Sequence, residues 1–346
     1  MKRFSVSFVR LPRVVFSVGM ASLLCLLAAP ARAQVTIDWV TVGDSGNAND
    51  TTGYGAVNDA FRIAKFETTI GQYTAFLNAV AATDTYALYN PNMGSLLSAA
   101  GISRSGSSGS YTYSVMNNAG SSADRPISNV SWFDAARFAN WMHNGQGSGD
   151  TETGAYTLSG ATSGNAPAAN SGAQVYIPTV NQWYKAAYYK GGGTNAGYWD
   201  NATQSDSPPG NTIGSGTNQA NYYNGVFSVT QSANNVSGQN YLTDVGAFTN
   251  SQSAYGTFDQ SGSVWEWNDL AGAAGPTRGI VGGAWWYGTV DSSSAIGDIY
   301  GPSAEYDSIG FRLASAVAVP EPSTCASLLA GLACGGYSLF RRRRVR

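Results

Sequence analysis

Helical periodicity is confined to three short stretches of this 346-residue chain, which limits how regular its fold can be. Apolar residues recur at helical spacing in 67–82, 131–144 and 178–190. The second and third stretches open on Ser131 and Thr179, each with a capping-box partner three residues on. The intervening segments are rich in Gly, Ser, Asn and Thr. Long loops of that kind fit a compact domain only when they are functional or held in place.

Strand signals are few and lie late in the chain. The segment 278–288, RGIVGGAWWYG, has a β-prone core, and 308–316, SIGFRLASA, is predicted to be one short closing strand. The longest loop, 191–221, has the composition of a domain linker. We favour a loop of a single domain, because Tyr198 and Trp199 within it would favour burial.

The N-terminal end has the layout of a signal peptide. Residues 1–33 comprise a charged start, an apolar run and a final Ala-Arg-Ala that suits cleavage. The alternative is an N-terminal anchor that is retained. In either case we expect the middle of the chain to be exported across the inner membrane.

The C-terminal end, 319–346, carries an uncharged segment, 324–340, followed by five arginines. As a helix this segment is about 26 Å long, enough for a thin bilayer, and the arginines would be cytoplasmic. The order of Val-Pro-Glu-Pro, short span and arginines resembles a bacterial PEP-CTERM sorting tail. The resemblance implies an exosortase-type peptidase as partner, transient membrane anchoring, and release to the cell surface or matrix. A permanent anchor is the alternative.

Composition excludes several classes of function. All three cysteines, Cys25, Cys325 and Cys334, lie in the end segments, so residues 34–318 have no disulfide, thiol nucleophile or thiolate metal site. One histidine, His143, cannot form a histidine metal cluster. The net charge of residues 34–318 is near −11, so a basic nucleic-acid footprint is absent.

Six motifs in order identify a family resemblance. They are FRIAKFETTIGQYTAFLNAV, PISNVSWFDAARFANWM, YIPTVNQWYKAAYY, YGTFDQSGSVWEWND, RGIVGGAWW and IGFRLA. Together they resemble the formylglycine-generating enzyme family, also called the sulfatase-modifying factor family. The resemblance implies that residues 34–318 form a single irregular α+β domain. This would be a variant of the C-type lectin fold, with few short helices and strands and long loops.

The family's enzymes oxidise a sulfatase cysteine to formylglycine, with Cu(I) held by two active-site cysteines. The resemblance places those positions on Tyr287 and Ser292, neither of which can replace a thiolate. We therefore expect no catalytic residues and no copper. The alternative is a formylglycine-generating oxidase, or another activity on the same scaffold, such as an enzyme with an oxygen-ligated metal.

The resemblance also implies calcium. Its main site would use two side chains and two backbone carbonyls, here Asp259, Gly262, Val264 and Glu266. Carboxylates and carbonyls are the hard oxygen ligands that Ca²⁺ takes. From the residues alone, a pair of solvated loop carboxylates is the favoured interpretation of the two acids. A weaker calcium site would use Asn221 and Tyr222, with Asn235 as one further candidate.

These features predict a non-catalytic, calcium-stabilised binding or structural module of the cell envelope or biofilm matrix. The recognition surface is predicted in the small, polar, tyrosine-bearing segment after GGAWW, at Trp286, Tyr287, Tyr300 and Tyr306. Loop composition does not distinguish a glycan from a protein ligand. Nucleic acid is not expected.

Overall fold

The computed structural model describes residues 34–288, 293–294 and 297–317. The predicted signal peptide, the sorting tail and its span at 324–340 lie outside these residues. Within the described residues the helices are α1 Ile70–Val80, α2 Asn92–Ser95, α3 Trp132–His143 and α4 Val180–Tyr188. The strands are β1 Trp39–Val42, β2 Phe61–Ala64, β3 Ile102–Ser105, β4 Thr112–Val115, β5 Val175–Tyr176, β6 Trp265–Asn268, β7 Arg278–Val281, β8 Gly297–Tyr300, β9 Ile309–Gly310 and β10 Ala314–Ala316.

The expected architecture of few short elements between long loops is confirmed. None of the helices in the described ranges combines the length and apolar character needed to cross a bilayer. The three periodic stretches of the sequence become α1, α3 and α4, each shorter than its periodic stretch by a few residues at its ends.

Capping boxes fix where these three helices begin. The side chains of Thr69, Ser131 and Thr179 each accept a hydrogen bond from the backbone N–H three residues on, and the side-chain oxygen of that residue accepts one from the backbone N–H of the capping residue. Two otherwise unsatisfied N–H groups are paired at each helix start. The capping residues predicted for α3 and α4 are confirmed.

Eight of the described strands form two four-stranded sheets. The first has the order β1-β2-β10-β5 and is antiparallel throughout. The second has the order β8-β7-β6-β9, with β6 and β9 parallel. The segment 308–316 therefore contributes one strand to each sheet, and the expectation of a single closing strand is wrong. Its middle residues, Phe311 to Leu313, are fully buried between the two strands, and Arg312 forms an internal ion pair with Glu266 of β6.

Strand β6 is covered on both faces. Trp265 and Trp267 lie in the main core with α3, as expected from their alternation with Glu266. The other face carries Glu266 and Asn268, which are also fully buried. The two faces of this sheet, and of its edge strand β8, border the cavities described below.

Candidate functional site

An aromatic cleft of about 340 Å³ opens on the face of the second sheet that carries Trp265. The strands supply alternate residues to this face, because side chains of a strand point to opposite sides in turn. Its lining residues, which define the aromatic cleft, are Trp265, Ile280, Trp286, Tyr287, Gly297, Asp298, Tyr300, Tyr306, Asp307, Ser308 and Ile309. All four residues predicted as a recognition surface are brought together here.

The rings of the cleft form two groups. Tyr287 packs between two tryptophans, with ring centroids 4.4 Å from Trp286 and 5.5 Å, edge-on, from Trp265. Tyr300 and Tyr306 meet edge to face at 5.7 Å. Trp286 and Tyr306 leave 47% and 51% of their surface exposed. Large exposed rings supported by buried ones are typical of binding surfaces.

A wide groove of about 740 Å³ lies on the other side of Trp286. It is lined by Ser95, Leu96, Leu97, Ser98, Tyr223, Phe227, Ala233, Asn235, Val236, Ser237, Gly238, Gln239, Trp285, Trp286 and Asp307. Trp286 and Asp307 therefore border both the wide groove and the aromatic cleft. Burial raises the pKa of Asp307. This groove could not be predicted from the sequence, because its wall comes from segments more than a hundred residues apart.

Close backbone packing holds the tryptophan turn in place. The Gly262 N–H donates to the Gly282 carbonyl at 2.6 Å, and the Trp285 N–H donates to the Ser263 carbonyl at 2.9 Å. Gly262 has φ +112°, and a Cβ there would lie 2.4 Å from the Asn221 carbonyl oxygen. Only glycine permits that approach. The Ser-Gly-Ser turn therefore orients the turn that carries Trp286.

The position matched to a family cysteine is part of this wall. Tyr287 lines the aromatic cleft, and its carbonyl accepts a hydrogen bond from the Tyr223 N–H at 2.9 Å. Ser292, the other matched position, lies outside the described residues. No cysteine occurs anywhere between residues 34 and 318. The ligand set for Cu(I) is therefore not present in this domain.

Glu266, one predicted calcium ligand, is part of a buried ion pair. Its carboxylate accepts from Arg312 Nε at 2.6 Å, from Arg312 Nη2 at 2.7 Å and from Trp183 Nε1 at 2.8 Å. The bidentate geometry is that of a strong guanidinium–carboxylate pair. As arranged, this carboxylate does not fit a calcium ligand, because both oxygens already face hydrogen-bond donors, two of them on a cation.

Asp259 and Glu67 lie beside the same guanidinium. Asp259 Oδ2 accepts from the Gly246 N–H at 2.6 Å, and Glu67 Oε2 is 3.9 Å from Arg312 Nη2. Burial raises the pKa of Asp259 to about 6. Burial, and then the charge of Asp259, raises that of Glu67. Asp259 and Glu266 thus share a charged cluster and are not solvated loop acids.

The backbone positions predicted for calcium lie next to this cluster. Gly262 and Val264 precede β6 directly, and Val264 is fully buried. Across the part of the chain that the structure describes, no three His, Cys, Asp or Glu side chains are grouped so as to hold a metal ion. Calcium ligation by Asp259, Gly262, Val264 and Glu266 stays a prediction.

The weaker calcium positions are engaged within the fold. Asn221 Nδ2 donates to the Tyr241 carbonyl at 3.0 Å, and its own carbonyl accepts from the Ser263 N–H at 2.7 Å. The Tyr222 carbonyl accepts from Asn211 Nδ2 at 3.3 Å. Asn235 lies in the wall of the wide groove. These contacts give Asn221 and Tyr222 a structural role in holding the loops together.

His143 ends α3, and its Nδ1 accepts a hydrogen bond from the Gln174 N–H at 3.0 Å. The ring therefore acts as an acceptor that ties the helix end to the loop before β5. It has no acidic or nucleophilic partner in this contact.

Comparison with known proteins places the chain in a family. The family model for the sulfatase-modifying factor enzyme 1-like domain matches residues 40–317 of this sequence. The mouse (Mus musculus) protein named inactive C-alpha-formylglycine-generating enzyme 2 is 30% identical over 155 residues, which cover 42% of this chain and 44% of that protein. The chain thus spans less than half the length of this curated relative.

Solved structures share the fold at low identity. CarF is 22% identical with a TM-score of 0.47, covering 82% of this chain and 99% of CarF. Treponema denticola variable protein 1 is 18% identical with a TM-score of 0.43, covering 84% and 100%. PvdO from Pseudomonas aeruginosa is 16% identical with a TM-score of 0.41, covering 82% and 93%. The chain belongs to the sulfatase-modifying factor enzyme 1-like family, and it has that family's irregular α+β, C-type lectin-like fold.

Proposed function

We propose that this protein is an exported, non-catalytic binding module of the cell envelope or extracellular matrix, which holds a neutral polysaccharide across Trp286. The observation that carries the proposal is the position of Trp286. Its ring is nearly half exposed and forms the common wall of the aromatic cleft and the wide groove. Two adjoining clefts on one exposed ring suit an extended ligand of several units.

The chemistry of the walls favours a neutral sugar polymer over other ligands. Aromatic faces pack on the C–H faces of pyranose rings, while a few polar groups fix orientation. Asp298 and Asp307 can accept hydrogen bonds from sugar hydroxyls. The residues that line the two clefts include no lysine or arginine, and the domain as a whole is acidic. An anionic polymer would therefore meet repulsion without a cationic partner.

The absence of thiolates supports a non-catalytic role. Copper-dependent oxidation of a cysteine needs soft sulfur ligands, and the domain between the end segments has no cysteine. The mouse relative's own name also describes an inactive protein. Export is supported by the signal-like residues 1–33, and surface delivery by the resemblance of 319–346 to a tail cut by an exosortase-type peptidase.

A glycan-binding screen tests the proposal. The purified protein is applied to immobilised neutral and acidic polysaccharides, beside a Trp286→Ala variant. We expect a neutral polysaccharide to bind, and we expect the variant to bind it at least about tenfold more weakly. The reason is that exposed tryptophans at the centre of a site carry much of the affinity. The control is Ile213→Ala, which removes a side chain that is 43% exposed and lines neither cleft.

Two results would overturn the proposal. Unchanged binding in the Trp286→Ala variant would remove Trp286 from the site. Conversion of a cysteine to an aldehyde in a sulfatase-motif peptide, with copper supplied, would show an oxidase. We expect no aldehyde. Metal analysis of the same preparation decides whether calcium is bound.

A further inference from the structure

A second cavity, of about 320 Å³, lies on the opposite face of the edge strand β8. The register between β7 and β8 shows which residues lie on each face of the sheet. Asp298 pairs with Ile280 beside the aromatic cleft, whereas Ile299 pairs with Gly279 on the other side. Ile299 and Asn268 line this second cavity, which we call the tyrosine pocket for its Tyr54, Tyr184 and Tyr188.

The walls of the tyrosine pocket are aromatic and supported from behind. Tyr184 and Tyr188 meet edge to face at 4.8 Å, and Tyr54 lies 5.9 Å from Tyr184. Tyr54 is 46% exposed and Ile299 is 58% exposed, so both stand at the mouth. The volume is at the low end of the range of about 300–1,000 Å³ for small-molecule sites, which suits a single ring.

One buried donor in this pocket lacks an acceptor. Asn268 is fully buried, and its Oδ1 accepts from the Leu270 N–H at 3.0 Å. Its Nδ2 has no hydrogen-bond partner in residues 34–288, 293–294 and 297–317. Exchanging the oxygen and nitrogen would remove the bond to Leu270, so the amide orientation is fixed. Buried polar groups are almost always paired, and an orphan calls for a water or a ligand.

The close packing around this amide is built into the sheet. Asn268 pairs with Gly279, and a Cβ at Gly279 would lie 2.4 Å from Asn268 Oδ1. The absence of a side chain at Gly279 therefore leaves room for the amide between β6 and β7. The orphan donor is held in place by the backbone on both sides, as the polar group of a binding site must be.

We propose that the tyrosine pocket binds a single neutral ring that carries an amide carbonyl, of the N-acetylhexosamine class. The ring's apolar face packs on the tyrosines, and the acetamido oxygen accepts the hydrogen bond that Asn268 Nδ2 can donate. Asp298, at the border of this pocket and the aromatic cleft, is placed to accept from a ring hydroxyl. The inference rests on a different observation from the proposed function, the orphan donor of Asn268, although Asp298 borders both cavities.

Titration with N-acetylglucosamine, followed by NMR or calorimetry, tests this assignment on the purified protein. Glucose, which lacks the acetamido group, is the control ligand. We expect saturable binding of N-acetylglucosamine at least tenfold tighter than that of glucose. No saturable binding, or equal binding of the two sugars, would overturn the proposal.

Two variants locate the binding. Ile299→Arg places a long side chain at the mouth and is expected to abolish it, without disturbing the core, because Ile299 is exposed. Asn268→Asp keeps the acceptor for Leu270 and removes the donor, so affinity at pH 8 should fall at least tenfold. If Asn268→Asp fails to fold, Ile299→Arg still tests whether the sugar binds in the tyrosine pocket. Ile213→Arg is the control for an added surface charge.

The pattern of losses separates this pocket from the aromatic cleft. Loss in Ile299→Arg, with retention in Ile213→Arg, supports the pocket. Binding that survives Ile299→Arg but disappears in Trp286→Ala belongs to the aromatic cleft, and the assignment to the tyrosine pocket is then wrong. Failure of polysaccharide binding in the earlier screen leaves this result unaffected.

Discussion

At the scale of single residues, Arg312 has a larger role in the fold than the sequence motifs indicated. Its guanidinium pairs with Glu266 and lies near Glu67 and Asp259. Arg312, Glu266 and Glu67 are buried, and Asp259 is half-buried. The opposing carboxylates raise the pKa of Arg312, although burial alone would lower it. Two of these residues, Asp259 and Glu266, were singled out from the sequence, and a metal site was predicted for both. A buried cation can be supplied by an ion or by a side chain, and motif spacing does not tell which.

Replacing Arg312 with Met tests this cluster. The variant leaves the Glu266 carboxylate buried with Trp183 as a remaining donor, so we expect the free energy of unfolding to fall by about 3–5 kcal/mol. Urea denaturation measures the loss. Lys190→Met is the control, since its pair with Asp206 is 3.9 Å long and partly exposed, and should cost at most about 1 kcal/mol. Equal effects of the two changes would contradict the central role of Arg312.

At the scale of elements, features that depend on neighbouring residues could be predicted from the sequence, and features that depend on distant residues could not. The capping boxes of α3 and α4 could be predicted because both partners lie within four residues of sequence. The division of 308–316 between two sheets could not, because its strands pair with β6 and β2, about 40 and 250 residues earlier. The four aromatic residues predicted as a recognition surface line one cleft, and their role in binding stays a prediction. Asn268 was missed, because its importance depends on what surrounds it and not on its neighbours in sequence.

The α3 cap gives an element-scale prediction. Ser131 Oγ accepts from the Asp134 N–H at 3.1 Å, and Asp134 Oδ2 accepts from the Ser131 N–H at 2.8 Å. Ser131→Ala breaks one half of this box, and we expect a loss of about 1 kcal/mol, within a range of about 0.5–2 kcal/mol. Chemical denaturation measures it against Ser107→Ala, in an exposed turn, which should be neutral. A neutral Ser131→Ala would mean that the cap adds nothing to α3.

At the scale of the whole molecule, several acids are buried together, and their sum determines how stability varies with pH. Burial raises the pKa of Asp259 and Asp269 to about 6 and that of Asp134 to about 7. In the unfolded chain these groups titrate near 4. Between pH 4 and 7 the folded protein therefore binds more protons than the unfolded chain, and stability decreases as pH rises through this window.

Unfolding by urea at pH 4.5 and at pH 7.5 measures this dependence. We expect lower stability at the higher pH, by an amount on the order of a few kcal/mol. Asp259→Asn removes one of the titrating groups and should make the decrease smaller. Stability that instead rises across this window would show that the buried carboxyls are ionised in the folded state and stabilised by cations.

The position of β10 has a consequence for how the chain matures. This strand is the last one described, yet it lies inside its sheet, between β2 and β5. During synthesis residue 316 must therefore leave the ribosome before β2, made some 250 residues earlier, gains its second neighbour and β5 is joined to the sheet. Contacts at such separation close slowly. The nascent domain thus stays incomplete until nearly its whole length has emerged, a delay that is compatible with the export we propose.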